Sequence, residues 1–389
     1  MKGLFALLAF IALAMLSWGV YGPVLRVGQE GMDGSALRPF VCVGLAYFLI
    51  AVLAPVVMLR MFGEAGHWST TGIVWSLAAG AAGAVGALGI ILALAFRGSP
   101  LYVMPLVFGC APVVNTFLTM YWNKSYKQAG PFFIAGLILV VVGAVTVMLS
   151  RPHGHALAEK IDIKVVEDAS GVSVDVKKDD EATATHYQAA SLAELQTTHP
   201  EAFKFYKQHQ ASAKLSGREL MFIILFTGMT ALAWGVYGPT LHRGQMAMAG
   251  SRLRPLVCVG LAYFLIAVIM PTLMLTQWDE PGRFTFTGSV WSLLGGAAGA
   301  LGALGIIMAF NFGGKPIFVM PLVFGGAPVI NTFVSVLQAG NYDQLHPMFY
   351  AGLIVVVAGA VTVLVFAPKG GGHPAPQTAA APAHEAAPA

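Results

Sequence analysis

Trp18-Gly19-Val20-Tyr21-Gly22-Pro23 returns 216 residues later as Trp234-Gly235-Val236-Tyr237-Gly238-Pro239, and that return decides the fold. The offset holds without a gap. Arg38-Pro39 recurs as Arg254-Pro255, and Val103-Met104-Pro105-Leu106-Val107-Phe108-Gly109 recurs as the run from Val319 to Gly325. Over five such blocks 68 of 89 positions are identical, so the chain is an internal duplication. Each block lies in a long apolar run. Five runs (4–25, 39–60, 72–96, 101–121 and 131–150) precede a charged segment, and five (220–241, 255–276, 288–312, 317–337 and 347–366) follow it. A helix needs about 20 residues to cross the hydrocarbon. Barrel strands would be about half that length and would alternate apolar with polar. The reading is an all-α integral membrane protein of ten transmembrane helices.

Composition agrees. Hydrophobic residues make up 57% of the 389, with 45 glycines besides, and charged residues only 10%. Soluble domains carry about 25% charge, so an ordinary soluble globule and a disordered chain are both excluded. The net charge of +4 is too small to argue for nucleic acid. Residues 151–219 hold 9 basic and 11 acidic side chains, half of the 40 charges in the chain. The first run, with Lys2 and Ala12-Leu13-Ala14, has the look of a signal peptide. Its twin at 220–241 argues instead for a retained helix.

Five is an odd number. If 151–219 stays out of the bilayer, the second half enters from the opposite face, and the repeats are inverted about an axis in the membrane plane. Basic residues favour short cytoplasmic loops. With the N-terminus inside, nine (Lys2, Arg60, Lys124, Lys127, Arg243, Arg252, Arg254, Lys315 and Lys369) fall in inner loops and tails. Four (Arg26, Arg38, Arg97 and Arg283) fall outside. Among twin positions that change charge, six follow inversion and three oppose it (Arg26→His242, Arg97→Gly313, His67→Arg283). The expected setting is the cell (inner) membrane, with both termini cytoplasmic and the linker extracytoplasmic.

The expected organisation is a first repeat at 1–150, a polar linker at 151–219, a second repeat at 220–367 and a disordered Gly/Pro/Ala tail at 368–389. In the linker, 161–165 and 172–176 alternate with period two around the turn-like Asp168-Ala169-Ser170-Gly171, a small hairpin. Residues 190–211 suit a polar helix. A solvated tether is the alternative.

Within these runs there is no Asp, Glu or His. Metal-ligand spacing, a nucleotide loop and a Ser/His/Asp set are missing too, so neither an enzyme nor a cofactor is expected. Cys42, Cys110 and Cys258 read as packing residues. The fourth helix of each half is the most informative. Pro105 and Pro112 lie seven apart on nearly one face, with Gly109 between them and Asn115-Thr116 one turn beyond. The twin has Pro321, Gly325, Pro328, Asn331 and Thr332. Each proline frees a backbone carbonyl, which persists in a membrane only inside protein or on a wet cavity. Two readings stand: a midplane site, or kinked helices whose asparagines tie to neighbours. Trp18 and Tyr21, like Trp234 and Tyr237, share a helix face and suit either stacking on a solute ring or an interfacial belt. Phe108 and Phe324 join the candidate site. Arg38 and Arg254, each before a proline at a helix start, suit a headgroup anchor or a gate. Gly80, Gly83, Gly86 and Gly89, with Gly296, Gly299, Gly302 and Gly305, form small-residue surfaces for close helix contact.

The order of these motifs resembles the drug/metabolite transporter superfamily, in particular its EamA-like ten-helix members. The resemblance covers all ten runs. It rests on Trp18-Gly19 followed by Arg38-Pro39, on Ala87-Leu88-Gly89-Ile90-Ile91-Leu92-Ala93-Leu94 ahead of Ser99, on Pro112, and on the run from Gly136 to Val145. It implies a central cavity between repeats and transport of a small solute such as an amino acid, sugar, nucleobase or drug. Two departures stand out: Asn123-Lys124 and Gln338 stand where the family often has an acidic residue after the fourth helix, and the linker is long. The expected function is secondary-active or facilitative transport of a small polar or amphipathic solute, with the lipid bilayer and that solute as partners. The alternative is a non-transporting membrane scaffold or sensor whose linker binds a partner.

Overall fold

The computed structural model describes residues 2–150, 161–168, 171–178, 183–190, 194–195, 198–203, 205–206, 215–339, 346–366 and 368. Ala169 and Ser170 of the expected turn, much of the expected helix at 190–211, and the tail after Pro368 lie outside them. The first half folds as α1 (Lys2–Glu30), α2 (Leu37–Met61), α3 (Thr70–Ala95), α4 (Pro100–Asn123) and α5 (Pro131–Leu149). The second half folds as α6 (Gly217–Ala247), α7 (Leu253–Gln277), α8 (Phe286–Asn311), α9 (Pro316–Ala339) and α10 (Pro347–Phe366). Eight of these, all but α5 and α10, are long and apolar enough to cross a membrane by length and composition. Large apolar side chains face outward along them: Leu4, Phe5, Leu232 and Phe286 are all more than half exposed. Soluble monomers rarely leave such surface uncovered. The chain is a multi-pass helical membrane protein.

Local chemistry explains the helix starts. Ser69 and Thr285 each accept the backbone N–H three residues on, Ser99 accepts that of Leu101, and Ser216 with Glu219 forms a reciprocal capping box. Pro100, Pro131, Pro316 and Pro347 occupy first helical positions, where no N–H is needed. In α2 and α7 the helix widens to π geometry at Phe48–Leu53 and Phe264–Ile269. Pro55 and Pro271 follow directly, and each removes a backbone donor that would have closed the ordinary turn.

Two helices run further than the apolar runs indicate. Pro23 and Pro239 lie inside α1 and α6 rather than at their ends. Glu30, Glu219 and His242 therefore stand on helices, near their termini and outside the apolar runs. Hydropathy stops where charge begins; the backbone continues because its next donors and acceptors are still best met by the helix.

The halves interlock. α1 packs on α8 and α9, and α6 packs reciprocally on α3 and α4. α4 crosses α9, α5 lies along α10, and α2 meets α7 at the π segments. At the level of helices these contacts are reciprocal, each pair having a counterpart with the two halves exchanged. The glycines make the interlock possible. Gly80 lies against Val259 and Ala262, Gly86 against Trp234, and Gly302 against Trp18. One continuous core spans both halves.

In the charged segment, β1 (Ile161–Asp168), β2 (Gly171–Lys178) and β3 (Thr185–Ala189) form an antiparallel sheet in that order. β1 and β2 pair from Ile161↔Lys178 to Asp168↔Gly171. Val172, Val174 and Val176 bury one face of β2 with Leu195, Ala202 and Tyr206. The third strand, Thr-His-Tyr-Gln-Ala, lacked the valine alternation that marks the other two.

Candidate functional site: an aromatic cage between the halves

Every contact at the centre comes in a pair. The Trp18 indole on α1 donates its Nε1–H to the Gly299 carbonyl at 3.2 Å, and Trp234 on α6 donates to Gly83 at 3.2 Å. Each indole lies over a glycine of the same helix, Gly302 or Gly86, where a Cβ would collide with the ring. The two indoles stack at 6.0 Å. Tyr237 meets Trp18 edge-on at 6.0 Å, and Tyr21 meets Trp234 at 6.1 Å. Phe324 and Phe108 flank Trp18 and Trp234 at 5.7 and 5.8 Å, and touch each other at 5.7 Å. Tyr47 and Tyr263 close one wall face to face, with centroids 3.6 Å apart.

These rings surround a cavity of about 20 Å³, lined by Trp18, Tyr21, Tyr47, Gly83, Trp234, Tyr237, Tyr263 and Gly299. That is room for a single water. Among the described residues no charged side chain lines it. The hydroxyls of Tyr21 and Tyr237 are buried and have no hydrogen-bond partner among the described residues. Pro112 and Pro328 are missing the amides that would bond the carbonyls of Phe108 and Phe324, so both cage phenylalanines lose their helical donor.

Six candidate residues thus come together: Trp18, Tyr21, Phe108, Trp234, Tyr237 and Phe324. Asn115 and Asn331 do not line the cavity. Asn115 Nδ2 donates to the carbonyl of Pro316 at 3.0 Å, and Asn331 Nδ2 to that of Pro100 at 3.0 Å. Each stitches one of these proline-bearing helices to the first turn of the other. Their Oδ1 atoms, and the hydroxyls of the buried Thr116 and Thr332, lack partners among the described residues.

Arg38 and Arg254 are bound inside the protein. Arg38 donates through Nη1 to Glu280 Oε2 and to the carbonyls of Glu280 and Pro281, each at 3.1 Å. Arg254 donates to the carbonyls of Ala65 at 3.2 Å and Glu64 at 3.4 Å. The acids themselves cap a helix of the opposite half. Glu280 accepts the backbone N–H groups of Ala36 and Leu37 and the Ser35 hydroxyl, at the start of α2. Glu64 accepts those of Arg252 and Leu253 and the Ser251 hydroxyl, at the start of α7. A carboxylate there complements the positive end of the helix. Burial alone would raise the Glu64 carboxyl, whose side chain is only 3% exposed, but the donors of Ser251, Arg252 and Leu253 outweigh it and hold it below the usual carboxylate range.

Tyr47, Tyr263, Glu64 and Glu280 were not singled out from sequence. The tyrosines lie in the most nearly identical block, 38–55 against 254–271, and the acids are exact twins in an acid-poor chain. Persistence of a residue across the duplication was the signal available. Among the described residues no group of three or more His, Cys, Asp or Glu could hold a metal ion. No family model matches the chain, and no curated protein matches it.

Proposed function

We propose that the chain is a ten-helix secondary transporter of EamA-like type, built from two inverted five-helix repeats, that moves a small neutral or zwitterionic solute by alternating access. The observation that carries this is a cage contributed equally by both halves, with a twin clamp at each of two interlocking loop sets. α5 and α10, of 19 and 20 residues, are near the spanning minimum of about 17–20, which supports five crossings per half. A charge-free aromatic lining suits a polar or amphipathic solute with a flat or apolar face. In the closed cage the rings must part to admit it. The charge bias of the short loops supports both termini, and the Glu64 clamp, on the cytoplasmic side, and the linker on the other.

The test is uptake by proteoliposomes across a panel of amino acids, sugars and nucleobases, with Trp18→Ala/Trp234→Ala as the control for the cage. Uptake of none of these, or uptake indifferent to that double change, refutes transport through the cage. Impermeant labelling of Lys124→Cys and Gly340→Cys from opposite sides tests inversion; labelling from one side refutes it. The scaffold or sensor reading draws on the sheet at 161–189, which has its own buried face. Deleting 160–212 separates the two, because a sensor loses its response while a transporter keeps its uptake.

A further inference from the structure

The two clamps are twins in position and unequal in make-up. Both acids receive two backbone amides and a serine hydroxyl, and both are reached by an arginine: Arg38 at 3.1 Å from Glu280, Arg254 at 3.6 Å from Glu64. Glu64 has a further partner. Arg252 Nε donates to its Oε1 at 2.8 Å. The residue twin to Arg252 is Ala36, which brings Glu280 only a backbone N–H. Among the described residues the Glu280 side has two further ion pairs, neither of which touches Glu280: Arg283 with Asp33, at 3.9 Å and with Arg283 75% exposed, where solvent screens it, and Arg97 with Glu219, at 3.3 Å between the end of α3 and the start of α6.

Each clamp joins a loop of one half to a helix start of the other, so rocking the halves apart on one side must pull that acid from its cap. Resting on the transport reading above, we infer that the clamps are latches of unequal strength, Arg252 making the Glu64 latch the tighter, so that the Glu280 clamp releases before the Glu64 clamp.

Met32 and Met248 are ready-made reporters. Both are fully buried. Gly282 of the Glu280 loop lies on the Met32 carbonyl, and Gly66 of the Glu64 loop lies on that of Met248. In full-length protein with Cys42, Cys110 and Cys258 changed to Ala, Met32→Cys should react with a soluble maleimide about two- to five-fold faster than Met248→Cys, the ratio an ion pair of partial exposure gives. Arg252→Ala should speed Met248→Cys by about that factor and leave Met32→Cys unchanged. Ala36→Arg should slow Met32→Cys, a change that unfolding cannot mimic. Equal rates in the parent, or Arg252→Ala accelerating both sites alike or neither, overturns the unequal latches. Labelling needs no solute, so the two readings fail separately. Uptake with symmetric labelling removes the latch, and asymmetric labelling without uptake removes transport alone.

Discussion

Changing Glu64 to Gln keeps the shape and removes the charge. The side chain is 3% exposed and lies under two guanidinium groups. Its oxygens serve Ser251, the Arg252 and Leu253 amides and the Arg252 side chain. An amide offers one carbonyl oxygen, so its NH2 end would face donors it cannot accept from. Leaving a buried donor unpaired costs about 1–3 kcal/mol, and breaking a buried ion pair about 3–5 kcal/mol. With Arg252 43% exposed and able to turn to water, the lower part of that range applies, roughly 3 kcal/mol. At about 2 °C per kcal/mol for a large domain, the melting point in detergent should fall by roughly 6 °C, read by intrinsic tryptophan fluorescence. Glu280→Gln should cost less, because its side chain is 17% exposed and has one arginine instead of two. The pH dependence has a definite sign. The folded carboxyl titrates below its unfolded value. Its stabilisation is therefore complete above about pH 4.3 and is lost as pH falls through the lower folded value. The gap between parent and Glu64→Gln should hold from pH 7 to 5 and close below that. A melting point within 1 °C of the parent at pH 7, or a gap that widens on acidification, would refute the trans-cap.

Gly86→Ala and Gly302→Ala should each displace an indole, shift tryptophan emission and cost about 1–3 kcal/mol by overpacking; adding Trp234→Phe to Gly86→Ala should recover part of the loss in a melting experiment. Asn115→Ala with Asn331→Ala should lower the melting point by about 1 kcal/mol-equivalent per lost bond and reduce maximal uptake with little change in apparent KM, because neither side chain lines the cavity. Tyr21→Phe with Tyr237→Phe should leave stability unchanged or slightly raised, since each removes a buried hydroxyl without a partner, while uptake of a hydrogen-bonding solute falls. A melting point lowered by several degrees would mean those hydroxyls are structurally paired.

How far the fold could be read follows from which residues act locally. Apolar runs located the helices because desolvation is summed residue by residue. They misplaced the ends of α1 and α6, where Glu30 and Glu219 still extend the backbone ladder. Trp18 and Tyr21 were legible as site residues because they share a helix face and survive in the twin. Asn115 was legible as a buried polar group, yet its partner is the Pro316 carbonyl, 201 residues away, and periodicity along one helix says nothing of what crosses it. The glycine rows mark the boundary between the two kinds of information. Their spacing announces a surface that something approaches closely; only the three-dimensional interlock reveals that the approaching groups at Gly86 and Gly302 are the cage indoles themselves. The sequence constraint on those glycines and the one on Trp18 and Trp234 are thus a single constraint. A chain that kept the tryptophans but filled either glycine would lose the Nε1 bonds to Gly83 and Gly299 that aim the rings. The glycines therefore serve the cage as much as the packing of the helices.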